Sequence, residues 1–226
     1  MRIQITVRFF DLILSIAALF ILAPLFLFII IALRFTGEGE IFYRQVRIGR
    51  NEKEFKLFKF ATMLKNSSLI GLGELTIVDD PRVLPFGKFL RKTKINELPQ
   101  LINILLGDVS IVGPRPQPPK YFYAYDIKDR KYIAQVRPGL SGIGSILFRN
   151  EEFIISSVAN PVQFDIDVIT PYKGQVEKWF VCNFSILLYF QLIAFTLLVV
   201  FFPRSNFHKH ILNRLPCPPT ELASYL

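Results

Sequence analysis

The sequence predicts an α+β protein, mainly helical with one small β-hairpin, that carries an N-terminal hydrophobic helix into a membrane. Three observations predict it. Residues 12–33 form a run of 22 residues without a charged side chain. Two segments rich in Phe, Ile, Val and Tyr, 41–48 and 55–60, flank the turn-like Gly49-Arg50-Asn51-Glu52-Lys53. Further on, Leu98, Leu101, Ile102 and Leu105 fall on one face of a helix. Composition agrees: a chain of 226 residues that is 51% hydrophobic, with mean hydropathy +0.37, is greasier than soluble domains of its size. That length suits one domain with a real core.

The hydrophobic run meets the roughly 20 residues needed to cross a bilayer. It is too long for a signal peptide and lacks a small-residue cleavage site, so it is expected to stay. Pro24 lies in its middle, where a proline removes a backbone hydrogen bond and crowds the preceding turn. Arg2 and Arg8 precede the run; Arg34, Arg44, Arg47 and Arg50 follow it. Positive residues favour the cytoplasmic side. Positives on both flanks suit a helix that enters, breaks at Pro24 and returns; a kinked spanning helix fits the same charges. Arg8 and Asp11, three residues apart, can pair with each other or with lipid phosphate.

After the hairpin, residues 66–80 read as a polar, glycine-containing mobile loop and 86–92 as a short basic helix. A helix is expected over 96–106, with Asn96 as N-cap, Pro99 in the first turn and Gly107 as the stop. The prolines at 114, 116, 118 and 119 exclude helix there, and 120–136 has helix-like spacing until Arg137-Pro138-Gly139 breaks it. Residues 184–202 form a second charge-free run of 19 residues, read as a membrane, buried or interfacial helix. The expected organisation is therefore a membrane helix over 1–36, a cytosolic domain over 37–183, the hydrophobic helix over 184–205 and a flexible tail over 206–226.

The net charge of +9 points to nucleic acid, an anionic membrane surface or phosphorylated substrates. The hydrophobic composition favours the last two, and signatures of nucleic-acid modules are absent from the sequence. Two distant cysteines, Cys182 and Cys217, suit a reducing compartment without a metal–thiolate centre. His208 and His210 have no third ligand nearby in sequence and read as a solvated tail.

Chemistry concentrates around one carboxylate. Arg91, Lys92 and Lys94 precede Asn96-Glu97 at the start of the expected helix, where free N–H groups and the helix dipole favour anions. Asp108 follows the helix, Arg115 sits in the proline-stiffened turn, and Arg137 and Arg149 flank glycine-containing turns. A divalent ion on Glu97 with arginines on phosphate oxygens would stabilise phosphoryl transfer. A glutamate serving only as a helix-dipole partner, among solvated arginines, is the plainer reading.

The motifs resemble the bacterial sugar transferase family, the monotopic phosphoglycosyl transferases. They run in order: Arg8-Phe9-Phe10-Asp11, Ala23-Pro24, Phe42-Tyr43-Arg44-Gln45-Val46-Arg47, Lys59-Phe60-Ala61-Thr62-Met63, Asp80-Pro81-Arg82-Val83, Asn96-Glu97-Leu98-Pro99-Gln100-Leu101, Gly107-Asp108 to Gly113-Pro114-Arg115-Pro116, and Arg137-Pro138-Gly139. The resemblance implies a re-entrant first helix turning back at Ala23-Pro24. It also implies transfer of a sugar-1-phosphate from a UDP-sugar to undecaprenyl (polyprenyl) phosphate, with Mg2+, on the cytoplasmic face of the inner membrane among its lipids. Asn96, Glu97 and Asp108 would be catalytic, Glu97 would hold the metal, and Lys59, Arg91, Arg115, Arg137 and Arg149 would bind phosphate or substrate. Nucleic acid is not an expected partner; homo-oligomerisation is left open.

The chain departs from the family pattern at its centre. Asn96 stands where the family's nucleophilic aspartate is expected, and an amide is a poor nucleophile. Ala61 replaces an arginine, and Ala23 a serine. Three readings follow: Glu97 or Asp108 supplies the nucleophile, transfer is direct with Asn96 orienting groups, or catalysis is lost and the protein serves glycan assembly by binding.

Overall fold

The computed structural model describes residues 2–202 and 214–225. Helix α1, Arg2–Phe35, is followed by strands β1, Phe42–Ile48, and β2, Glu54–Phe60. Then come α2, Pro85–Lys92, a 3-10 turn at Ile95–Glu97, and α3, Gln100–Leu106. Strand β3, Ser110–Val112, precedes α4, Pro119–Phe122, α5, Ile127–Ile133, and strand β4, Gly139–Ser141. The remainder is helical: α6, Ile143–Leu147, α7, Glu151–Ser156, α8, Pro161–Phe164, α9, Thr170–Cys182, α10, Ile186–Phe201, and α11, Thr220–Ala223.

Helix α1 is 34 residues long and runs through Pro24 without leaving the helix. The break expected at Ala23-Pro24 is thus not seen: the structure has one helix there. Proline costs the ladder one N–H, and packing on both sides of it holds the helix on course. On one side Leu19 and Leu22 meet Leu57, Leu101 and Ile104. On the other Phe26, Ile29 and Leu33 meet Phe60 and Leu90. The helix therefore lies against the body along its length. Its other face is bare: Phe20 is 83% exposed, and Ile21, Leu27 and Phe28 are also exposed.

The N-terminal end of α1 is held by polar anchors. Asp11 is buried, and its Oδ1 accepts from the Ser110 hydroxyl at 3.0 Å, the Ile111 N–H at 2.9 Å and the Tyr189 hydroxyl at 2.9 Å. Arg8 donates to the carbonyls of Ile104 at 2.5 Å and Leu105 at 3.0 Å, capping the C-terminus of α3 with a cation. Arg8 and Asp11 thus tie the helix to the body.

The hairpin has the expected strands, with Phe42 opposite Phe60, Tyr43 opposite Lys59 and Ile48 opposite Glu54. A second, parallel pair joins β3 to β4, which the sequence did not announce because each strand is only three residues long. Gly113 and Gly139 permit it: a Cβ on Gly139 would collide with the Gly113 backbone. The helix expected over 120–136 is two, because the Asp126 carboxylate accepts from the Lys128 N–H at 2.7 Å and starts α5 afresh.

Helix α10 buries Tyr189 and Leu192 against the body, and its Thr196 hydroxyl lies 2.6 Å from the Ser141 hydroxyl. With 16 residues it reaches about 24 Å, short of the roughly 30 Å hydrocarbon layer. The tail expected to be flexible is structured at 214–225: Leu222 is buried, and Pro216 accepts from the Tyr172 hydroxyl at 2.9 Å. Residues 206–213 of that tail, with His208 and His210, lie outside the described residues.

Replacing Asp11 by leucine strands three donors and is expected to cost on the order of 3 kcal/mol. Asp11→Asn, which keeps an acceptor, is expected to cost less than half of that. Thermal unfolding in detergent checks both; equal midpoints for Asp11→Leu and wild type would refute the anchor.

Candidate active site

The site is a cavity of about 430 Å³ roofed by the segment between β2 and α2. Period-2 alternation aims Tyr43, Gln45 and Arg47 of β1 into it, and Lys59 joins them as the cross-strand partner of Tyr43. Asn96 and Glu97 come from the 3-10 turn that leads into α3. Asn96 is therefore not the N-cap of that helix, whose cap position is Pro99. The turn's tight hydrogen bonding, Leu98 N–H to Ile95 and Leu101 N–H to Leu98, advances the chain a turn before α3 begins.

Glu97 is the centre of the charge. Its Oε1 accepts from Lys59 Nζ at 3.3 Å and Arg115 Nη2 at 3.4 Å. Burial alone would raise its pKa, but Lys59, Arg115 and Lys94 outweigh burial and hold it well below the carboxylate range. The cations pay for their crowding. Burial, with Arg47, Arg115 and Arg91 nearby, pulls Lys59 down to about 7 against the gain from Glu97. Burial and then Arg115 lower Arg47 to about 10. Glu97 raises Arg115, whose own N–H is held by Glu177 Oε1 at 3.0 Å. Arg47, Lys59, Arg91, Lys94 and Arg115 gather on the Glu97 side of the cavity, with Glu152 on Arg91 and Glu74 near Arg47, and their N–H donors suit a phosphate ligand.

The predicted residues divide. Lys59, Arg91, Asn96, Glu97 and Arg115 line the cavity together. Asp108 does not: it lies beyond the far end of α3, where its Oδ2 accepts from Asn103 Nδ2 at 3.3 Å. Seven helical residues, roughly 10 Å, separate it from the turn of Glu97. Arg137 donates to the Gly107 carbonyl at 2.8 Å, and Arg149 to that of Val199 at 2.7 Å, so both serve backbone carbonyls outside the cavity. Lys94, read with Arg91 and Lys92 as part of the cationic cluster, lines the cavity and Lys92 does not, while sequence reasoning missed Arg47 as a site residue. Strand alternation toward the face of Lys59 could have found Arg47. Sequence reasoning also missed Glu151 of α7, Asp165 of the π-helical turn Asp165–Ile169, and Lys173 in the first turn of α9, which have no motif of their own.

Among the described residues no group of three or more His, Cys, Asp or Glu side chains could hold a metal ion. Asn96 nevertheless has a buried Oδ1 without a partner, and both hydrogen bonds to Glu97 fall on Oε1. Side-chain oxygens of two consecutive residues are the kind that fit magnesium, which keeps most of its shell in water and substrate phosphate.

The roof is organised by one side chain. Arg82 pairs with Asp80 at 2.6 Å and donates to the carbonyls of Ser67, Ile70, Gly73 and Leu75. The segment expected to be a mobile loop is thus gathered round a buried guanidinium. Arg82→Lys keeps the charge but loses the fork. Amide exchange at residues 67–75 is expected to accelerate at least tenfold in that variant; unchanged exchange would show the carbonyl contacts to be dispensable.

Comparison with known proteins fits this geometry. The chain is 40% identical over 176 residues to the exopolysaccharide production protein ExoY of Sinorhizobium fredii, covering 71% of this chain and 75% of that one. It is 35% identical over 162 residues to the UDP-glucose:undecaprenyl-phosphate glucose-1-phosphate transferase of Xanthomonas campestris, covering 70% of this chain and 34% of that one. With the protein of the same description from Escherichia coli the identity is 32% over 187 residues, 74% of this chain and 40% of the relative. This chain thus spans well under half of those two longer transferases. A family model described as bacterial sugar transferase matches residues 2–203, and the chain belongs to that family.

Proposed function

We propose that this protein transfers a sugar-1-phosphate from a UDP-sugar to a polyprenyl phosphate at the cytoplasmic face of the inner membrane, the opening step of a lipid-linked surface glycan. The observation that carries the proposal is the cavity in which Arg47, Lys59, Arg91, Lys94 and Arg115 surround Glu97, built on elements that pack against a helix whose outer face is bare and apolar. The names of the relatives from Xanthomonas campestris and Escherichia coli, which specify a UDP-sugar and undecaprenyl phosphate, support it.

In this reading the cations take the diphosphate of the donor. Glu97 keeps Lys59 and Arg115 apart and aimed at the phosphate oxygens before substrate arrives, so little reorganisation is needed during reaction. Asn96 Oδ1 and Glu97 would hold magnesium together with the donor phosphates, and the ion would neutralise part of the diphosphate charge. An oxygen of the polyprenyl phosphate attacks the sugar-bearing phosphorus. The bond from that phosphorus to the bridging oxygen breaks, its electron pair leaves with UMP, and the sugar becomes linked to the lipid through a diphosphate. Direct attack suits this chain because Asn96 offers no nucleophile and Glu97 is clamped by two cations with its basicity suppressed.

The membrane arrangement follows from packing. Helix α1 touches the body from Asp11 to Leu33, so a span would drag Leu57 and Phe60 into hydrocarbon with it. A monotopic helix, bare side to lipid and both ends cytoplasmic, needs no such burial. Cysteines introduced for Gln4 and Thr36, after replacement of Cys182 and Cys217 by serine, are expected to react with an impermeant maleimide only from the cytoplasmic side. Reaction from opposite faces would mean that the helix spans.

Purified protein in detergent, given UDP-sugars, undecaprenyl phosphate and magnesium, is expected to release UMP only when the lipid is present, with intersecting rather than parallel initial-rate plots. Glu97→Gln is expected to lower the rate at least a hundredfold. A sugar-phosphate adduct on the intact protein would move the nucleophile to Glu97. No UMP from any donor, with turnover appearing in Asn96→Asp, would establish a protein that assembles glycans without catalysing this step.

A further inference from the structure

The cavity has a second end with different chemistry. Beyond the cations its wall is made by Glu151, Asp165, Thr170 and Lys173. Asp165 is only 3% exposed. Its Oδ2 accepts from the Thr170 hydroxyl at 3.4 Å, while its Oδ1 is buried without any partner. Lys173 is likewise buried and is spent elsewhere: its Nζ binds Glu151 and lies 5.0 Å from the centre of the Phe148 ring. A buried carboxylate oxygen without a donor costs on the order of 1–3 kcal/mol. A bound group that donates to Oδ1 would remove that cost.

Position narrows the ligand. Arg115 and Lys94 of the phosphate-binding end lie within electrostatic reach of Glu151 and Glu152 respectively, and Arg91 pairs with Glu152 at 2.6 Å. The acidic end is therefore adjacent to the phosphates. It repels a second anion, so the group bound there is neutral and rich in donors. Carboxylates beside a phosphate site bind hydroxyl groups well, since each hydroxyl donates to a charged acceptor. Burial and the neighbouring Glu151 carboxyl raise the pKa of Asp165, and Lys173 opposes them in part.

We propose that Asp165, oriented by Thr170 and flanked by Glu151, is a sugar-binding residue that accepts a hydrogen bond from a hydroxyl of the donor's hexose. This rests on the nucleotide-sugar reading above and adds a specificity-determining subsite to it. The ribose of the donor is the other source of hydroxyls in the same molecule, and the test separates the two. Glu151 keeps Lys173 from neutralising Asp165 outright, and Thr170 fixes the carboxylate plane, so that Oδ1 rather than Oδ2 meets the sugar.

The experiment is calorimetric titration of the full chain in detergent with UMP and with UDP-glucose, UDP-galactose and UDP-N-acetylglucosamine, for wild type, Asp165→Asn and Asp165→Ala. Unchanged circular dichroism qualifies each variant, and Glu151→Gln serves as a further probe should Asp165→Ala fail to fold. For the sugar nucleotide that wild type binds tightest, affinity is expected to fall about tenfold in Asp165→Ala and less in Asp165→Asn, with UMP affinity unchanged. Equal weakening of UMP would transfer the contact to ribose and overturn the proposal. So would sugar-nucleotide affinity within twofold of wild type in both variants. Wild type that binds neither UMP nor any of the three donors would instead refute the nucleotide-sugar reading, irrespective of Asp165.

Discussion

Glu97 joins two pieces of chain that would otherwise repel. Lys59 arrives on β2 and Arg115 on the proline-rich turn after β3, and both point at the same oxygen. Around them stand Arg47, Arg91 and Lys94. Without a central anion, burying this much like charge would be strongly unfavourable, and the hairpin and the turn would part. Removing one member of a partly buried ionic cluster typically costs about 3–5 kcal/mol, because the charges left behind have lost their solvent as well as their partner. The carboxylate is structural and functional by one physical fact: it holds cations close enough together to make a phosphate site.

The helix α1 and the cavity are parts of one construction. The residues that pack on α1, Phe60 and Leu90 at one end and Leu101 and Ile104 at the other, belong to the elements that carry Lys59, Arg91 and Glu97. Asp11 and Arg8 lock the near end to β3, α10 and the end of α3. The site is thus held on the same elements that hold α1. In the proposed reading, a lipid-tailed acceptor and a charged nucleotide donor meet there without either leaving its own solvent.

The replacement of an aspartate by Asn96 changes the chemistry more than the shape. The amide has about the same size as a carboxylate, is buried, and keeps one oxygen unsatisfied. What it loses is a negative charge beside Glu97. The cations around Glu97 then face one carboxylate fewer, with Glu152 and Glu74 still beside Arg91 and Arg47. In the proposed reading, such a site binds the two reactants side by side without a covalent intermediate.

Much of this was legible in the chain itself. The apolar run, the hairpin with its Gly49–Lys53 turn, and the apolar face from Leu98 to Leu105 follow from local periodicity and turn chemistry, which depend only on near neighbours. The grouping of Lys59, Arg91, Asn96, Glu97 and Arg115 was reached through motif resemblance, and the cavity contains all five. Asp108, Arg137 and Arg149 look equally chemical in sequence, yet packing turns them toward Asn103 and toward backbone carbonyls. The unbroken course of α1 past Pro24, the gathering of the roof around Arg82, and the arrival of Asp165 opposite the phosphate end depend on contacts between residues far apart in the chain. Hydrophobic period and turn residues determine which segments fold locally. Only tertiary packing decides which charges lose their water together, and therefore which of them become a site.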